Sequence, residues 1–221
     1  MAVLTEEQSM LRDAAKSWVS EKSPVTAFRK MRDSGNEDGF DKAAWKEIAE
    51  MGWTGIIIPE EFGGSGLGYL TLGLVLEEMG RTLTASPLLS TAAATSALLL
   101  AGNDAQKQEW LPKIAEGKAI AALAVDEKSH HAPESMTLEA KKTGGGYALN
   151  GKKVFVQDGG AADLLVVAAR TSGKASEKNG ITLFLVPGNA NGLKRTKLKS
   201  VDSRGVANLE FNGVEVPGSA V

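Results

Sequence analysis

Tyr147-Ala148-Leu149-Asn150-Gly151-Lys152-Lys153-Val154-Phe155-Val156-Gln157-Asp158-Gly159 is the stretch on which the reading of this chain turns. The residues flanking Asn150-Gly151 read with the two-residue period of a strand, not the 3.6-residue period of a helix. Asn-Gly readily supplies positive φ at both turn positions, so the stretch predicts a two-residue hairpin joining strands at 147–149 and 152–156. Outward from it, the same period recurs at Ala119–Val125, Met136–Lys142, Leu164–Ala169, Ile181–Val186 and Ala207–Phe211. Gly144-Gly145-Gly146 and Asp158-Gly159-Gly160 punctuate these runs, and Thr171–Gly180 reads as a polar loop. Seven short strands with no helix between them imply an antiparallel barrel or sandwich.

Before Gly117 the period is helical. Thr5 and Gln8 form a capping box ahead of Leu11, Ala14, Ala15 and Trp18, which fall on one face. Ser23-Pro24 opens a second helix with Val25, Phe28 and Met31 inward, and Asp41 caps a third carrying Ala44, Trp45, Ile48 and Ala49. Gly55–Pro59 reads as a buried connector; further helices are predicted over Tyr69–Arg81 and Pro87–Ala101, and from Asp104 to near Gly117. The expected organisation is therefore a helical domain over 1–118 and a β domain over 119–221.

Composition excludes several functions. Hydrophobic residues make up 43% and charged residues 24%, with a formal charge of -2, so neither nucleic acid nor an anionic membrane is favoured as a partner. There is no cysteine, hence no disulfide, thiolate metal site or cysteine nucleophile. The segment Met1–Gln8 lacks the basic start and apolar core of a signal peptide, and the longest apolar run, Ala85–Gly102, is rich in Ala, Thr and Ser; a cytoplasmic location is expected.

Single features carry little chemistry. Gly63-Gly64-Ser65-Gly66-Leu67-Gly68 lies where a phosphate cradle would, but Tyr69 breaks the dinucleotide spacing and no Lys-Ser/Thr follows, so a tight interhelical loop is the better account. His130-His131 has no third ligand nearby, and no metal is expected. Trp18, Trp45, Trp53 and Trp110 read as packing residues, and Lys194, Lys197 and Lys199 as a solvated strand face. No acidic pair has a context that would set two carboxylates apart.

The order of segments says more. Leu4–Gln8 with Leu11-Arg12, the block Met51–Gly68, Glu77–Arg81, Gln106–Gln108 with Trp110-Leu111-Pro112, Gly146–Lys153 and Phe211–Pro217 together resemble the acyl-CoA dehydrogenase family, collinearly over essentially the whole chain. The resemblance implies a helical domain, an antiparallel β-barrel domain and a C-terminal four-helix bundle, the last absent from this sequence. It further implies an FAD-dependent oxidoreductase of fatty-acid β-oxidation type. Such an enzyme removes an α-proton from an acyl-CoA thioester and passes a β-hydride to the flavin, with electron-transfer flavoprotein as the electron acceptor and a homo- or hetero-oligomeric assembly.

Carried onto this sequence, the flavin loop is Val125–Pro133, where the family commonly reads Thr-Glu-Pro and then Gly-Ser-Asp. Asp126 replaces the threonine, Glu127 matches, Lys128 replaces the proline and Ala132 stands where serine is usual. Phe155 replaces the tryptophan of Trp-Ile-Thr/Ser-Asn-Gly, and Gln157 the hydroxyl residue. Asp126, Ala132, Phe155 and Gln157 are thus the implied cofactor contacts. No catalytic residue is implied within the chain, because the family's glutamate base is expected beyond Val221, and these 221 residues alone are expected to show neither tight FAD binding nor turnover. Asp202-Ser203-Arg204 resembles a branch containing small subunits of paired dehydrogenases, with Arg204 expected on a phosphate or carboxylate or in an ion pair with Asp202. The alternatives are a non-catalytic subunit of a heteromeric dehydrogenase, or an acyl-CoA oxidase or flavin monooxygenase on the same fold.

Overall fold

The computed structural model describes residues 4–221, so the expectation for Met1–Gln8 lies outside the described residues at positions 1–3. Six helices come first: α1 Glu6–Lys22, α2 Val25–Asp33, α3 Lys42–Glu50, α4 Gly68–Arg81, α5 Leu88–Ala101 and α6 Asp104–Ala115. Their starts follow local chemistry. Thr5 Oγ1 accepts from Gln8 N at 3.2 Å while Gln8 Oε1 accepts from Thr5 N at 3.1 Å, and Asp41 Oδ1 accepts from Ala43 N at 2.7 Å. A second capping box, Asn103 with Gln106, opens α6, and Gln106 Nε2 also donates to the carbonyls of Ser219 and Val221, at 2.8 and 3.0 Å. Among the described residues no helix is long and apolar enough to cross a membrane.

Seven strands follow: β1 Ala121–Ala124, β2 Glu139–Lys142, β3 Gly146–Val156, β4 Leu164–Arg170, β5 Ile181–Pro187, β6 Leu193–Lys197 and β7 Ala207–Pro217. They form one curled sheet, ordered β1-β4-β2-β3-β7-β6, with β5 on the other edge of β4. The helical-then-β architecture is the expected one. Most pairings are antiparallel, but β1 runs parallel to β4, and a single parallel bridge joins Glu139 of β2 to Arg170 of β4. All of β4 is buried: Leu165, Val167 and Ala169 enter the sheet interior with Phe184 and Phe211, while Leu164 and Val166 pack with Ala94 and Leu98 of α5. Each such large apolar side chain removed from water contributes roughly 1.5–3 kcal/mol, and this shared layer holds the two halves together.

The Asn150-Gly151 hairpin is not formed. β3 runs straight through it, paired along its length with β7 some 60 positions later: Leu149 faces Val214, Asn150 faces Asn212, and Gly213 is the unpaired extra residue. Asn150 Oδ1 accepts from Gly213 N at 2.9 Å, with Gly213 at φ 65° and Gly151 at φ 141°. The same glycine and asparagine chemistry that makes a tight turn makes a β-bulge when a long-range partner is present. For that reason β7 also extends past the expected end at Phe211.

Candidate functional site

The site is built around a second irregularity of β3. Lys153 pairs with Leu209 and Val156 with Ala207, so Val154 and Phe155 together oppose Asn208 alone. Two residues against one is a bulge, and it resets the alternation of the strand. Lys153 is 0% exposed and Val156 3%, both inward, whereas Phe155 is 60% exposed. Phe155 sits at φ 53°, in the left-handed region that disfavours a side chain.

Buried polar contacts support this turn. Lys153 Nζ donates to Val125 O and to Glu127 Oε1, each at 2.9 Å. The Glu127 carboxylate also accepts from Thr137 N at 2.6 Å, Thr137 Oγ1 at 2.7 Å and Leu138 N at 2.8 Å. Burial pushes Glu127 upward, but the hydrogen bonds from Leu138, Lys153 and Thr137 outweigh it and leave this carboxyl below its ordinary range. Burial lowers Lys153, against the opposing pull of Glu127. Glu127, the one residue of its loop that fits the family pattern, is therefore spent inside the protein, closing the base of the 126–137 loop.

The four implied contacts are divided. Phe155 and Gln157 are exposed on the same strand end, and Ala132 is exposed on the loop. Asp126 uses its carbonyl to accept Val154 N at 2.8 Å, while its carboxylate pairs with His131 Nδ1 at 2.9 Å. Phe155 offers an open aromatic face and Gln157 a free amide, which fit a planar redox ring. The Asp126 side chain is already engaged and offers no donor to a phosphate.

Beyond Phe155 the chain meets the helical half. Asp158, also left-handed at φ 53°, is buried and accepts from Ser90 Oγ of α5 at 2.6 Å. Burial raises its carboxyl above the ordinary range, opposed by that hydrogen bond and by the Arg204 charge. Arg204 does not form the expected side-chain ion pair with Asp202. Its guanidinium donates to Thr84 O at 3.1 Å and Ser86 O at 3.0 Å, on the turn between α4 and α5, while only its backbone N–H reaches the Asp202 carboxylate. The orphan carbonyls at that turn are better acceptors for a forked donor than an exposed carboxylate competing with water. Leu83, at φ 57° in this turn, and Ser203, at φ 52° next to Arg204, also lie at this seam. The seam borders an open cavity of about 500 Å³ lined by Phe28, Leu76, Met79, Leu83, Leu89 and Val201, with Asp202 and Arg204 at its polar side.

The glycine-rich loop is the interhelical connector expected. The amides of Gly63 to Leu67 are engaged, among them Ser65 N on Gly55 O at 3.0 Å, Gly66 N on Ile58 O at 2.9 Å and Leu67 N on Ile56 O at 2.8 Å. A side chain at Gly64 would collide with Ile58. The sequence reading missed Ser90, Asp158, Asn208 and the role of Lys153. The available signal was an aspartate where the family pattern has asparagine, and a lysine at a strand position that alternation places inside.

Residues 5–118 match the family model described as acyl-CoA dehydrogenase, N-terminal domain, and residues 122–214 the one described as acyl-CoA dehydrogenase, middle domain. Mitochondrial isovaleryl-CoA dehydrogenase of Pongo abelii is 36% identical over 226 residues, covering 99% of this chain and 53% of the relative. Among solved structures, butyryl-CoA dehydrogenase from Megasphaera elsdenii superposes with a TM-score of 0.84 at 25% identity, over 100% of this chain and 59% of that one. A chain of the ChsE4-ChsE5 complex from Mycobacterium tuberculosis does so with a TM-score of 0.86 at 28% identity, over 100% and 58%. The chain spans about half the length of the curated relatives it matches.

Proposed function

From the premise that this chain belongs to the acyl-CoA dehydrogenase family, we propose that it forms the flavin-facing part of an FAD-dependent enzyme that converts an acyl-CoA thioester to its α,β-enoyl form. The observation that carries this reading is Phe155: a large aromatic, 60% exposed, in a backbone conformation that costs stability. Strain of this kind persists where the surrounding structure over-determines it, and it clusters at functional sites. FAD, when bound, would supply the acceptor for the β-hydride.

The chain's own residues position and shield. Phe155 covers one face of the ring, Gln157 offers its amide to the ring edge, and Ala132 leaves room for close approach of the loop. The Asp158–Ser90 hydrogen bond ties this strand end to α5, whose Leu88 and Leu89 line the apolar cavity. An acyl chain in that cavity would lie against apolar side chains, and excluding water around it would favour abstraction of a weakly acidic α-proton. None of the three carboxylates around the Phe155 bulge is free to abstract it: Glu127 and Asp158 are hydrogen-bonded inside the protein, and Asp126 is held by His131. The base is proposed to come from outside these residues. Electron-transfer flavoprotein as acceptor, an oligomeric assembly and a cytoplasmic location belong to the same proposal.

The engaged Asp126 favours one alternative, a subunit of a heteromeric dehydrogenase that takes up flavin only with its partner. The spectrum of the purified gene product separates the readings. A yellow protein bleached by an acyl-CoA without oxygen supports the dehydrogenase. A colourless protein that acquires flavin only with a partner supports the subunit, and rapid reoxidation by oxygen indicates an oxidase.

A further inference from the structure

The outward aim of Phe155 is not set by its own neighbours in sequence. Lys153 and Val156 both face the interior, so the two residues between them must absorb one extra position. The bulge leaves the amides of Val154 and Phe155 without ladder partners, since their opposite number is the single residue Asn208. Each finds a substitute: Val154 N donates to Asp126 O at 2.8 Å and Phe155 N donates to Asn208 Oδ1 at 3.2 Å. Asn208 thus replaces a backbone acceptor with a side chain, at the one residue that opposes the bulge. The third anchor is Lys153, fixed by Val125 O and by Glu127, whose carboxylate also seals the base of the loop that supplies Asp126 O.

We propose that Asn208 is a positioning residue, acting with the buried Lys153–Glu127 pair, that holds the Val154–Phe155 bulge in register and so keeps the Phe155 ring turned outward for the cofactor. The inference rests on the flavin reading of Phe155, and it adds residues that touch no ligand. Without the Asn208 acceptor, the Phe155 amide has water as its alternative partner, and the strained left-handed conformation loses a contact that compensates it. The strand end is then free to exchange Phe155 between outward and strand-like orientations.

The test uses the 221-residue protein labelled with ¹⁵N and FAD as the probe, following the amides of Phe155 and Gln157. For the unaltered protein the expected result is weak but saturable FAD-induced shifts at both amides and slow exchange at Phe155. Asn208→Leu removes the acceptor at similar size and should accelerate Phe155 amide exchange and weaken FAD binding, each by roughly tenfold. Exchange in the Phe184 core should stay unchanged. Asn208→Asp restores an isosteric acceptor and should recover most of the Phe155 protection together with most of the FAD affinity, whereas a merely structural role would recover the protection alone. Asn208→Ser supplies a smaller second variant should the leucine not fold. If Asn208→Leu binds FAD as the unaltered protein does while its Phe155 amide exchanges fast, the positioning role is overturned and the flavin reading stands. If Phe155→Ala leaves FAD shifts at Gln157 intact, the flavin reading itself fails; an unaltered protein that shows none overturns flavin uptake by this chain alone and leaves the partner-dependent subunit reading.

Discussion

Strand β3 departs from regular pairing twice, and the two places solve the same geometric problem differently. Near Asn150 the extra residue on the partner strand is Gly213, at φ 65°, with nothing within 4 Å of where a side chain would begin. Near Phe155 the left-handed position is filled by the bulky aromatic itself, at φ 53°. Glycine adopts positive φ without penalty, whereas a side chain there costs roughly 1–2 kcal/mol. The first bulge is built for shape, bending the sheet at no conformational cost. The second keeps a strained residue exposed, and surrounds it with a buried ion pair, a side-chain acceptor and a left-handed Asp158. The proposed cofactor role of Phe155 rests on this contrast.

The largest effect should come from the supports of the second bulge. Glu127→Gln leaves the fully buried Lys153 facing a neutral partner and should lower the unfolding free energy by about 3–5 kcal/mol, read from urea melts. Adding Lys153→Met should return part of that loss; equal melts for the single and double variants would show that the pair is not coupled. Next comes the first bulge. Gly213→Ala should cost about 1–2 kcal/mol from left-handed strain alone, and Gly151→Ala more, because its new Cβ would lie 2.9 Å from Leu138 Cα. A cost-free Gly213→Ala would remove the basis of the comparison.

The smallest effect is one of pH. Asp158 has its carboxyl raised by burial, so the folded state disfavours the charged form, and stability is lost as pH rises through the folded value. Asp158→Asn keeps an acceptor for Ser90 and tolerates positive φ. It should therefore raise the melting temperature at neutral pH, by an amount that disappears below the ordinary carboxylate range. Glu127 has the opposite sign: its value is lowered, so its contribution is present at neutral pH and lost on acidification. Parallel pH profiles for the Asp158→Asn variant and the unaltered protein would refute the assignment at Asp158.

What the sequence made legible was local. The starts of α1, α3 and α6 follow from side-chain caps within three residues, and all six helices were anticipated. Strand β4 was visible because both its faces are buried and its apolar run is continuous. Asn150-Gly151 was misread because its meaning depends on Gly213, and nothing within the stretch distinguishes a turn from a bulge. β6 escaped the list of strands, although Lys194 and Lys197 were placed on a solvated strand face, because its pairing with β7 leaves little apolar pattern to detect. At the candidate site resemblance singles out Phe155, but it does not point to Asn208, Ser90 or the Lys153–Glu127 pair. Their roles come from contacts across 26 to 68 positions in sequence, which no motif encodes. The Arg204–Asp202 ion pair is not formed for the same reason, since the guanidinium reaches Thr84 and Ser86 about 120 positions away.

The most direct test is Phe155→Gly, measured for both thermal stability and FAD affinity in one preparation. If the strain at φ 53° is retained for the cofactor, glycine should stabilise the fold by about 1 kcal/mol while FAD binding weakens. A variant that loses stability, or that binds FAD as tightly as the unaltered protein, would contradict the account.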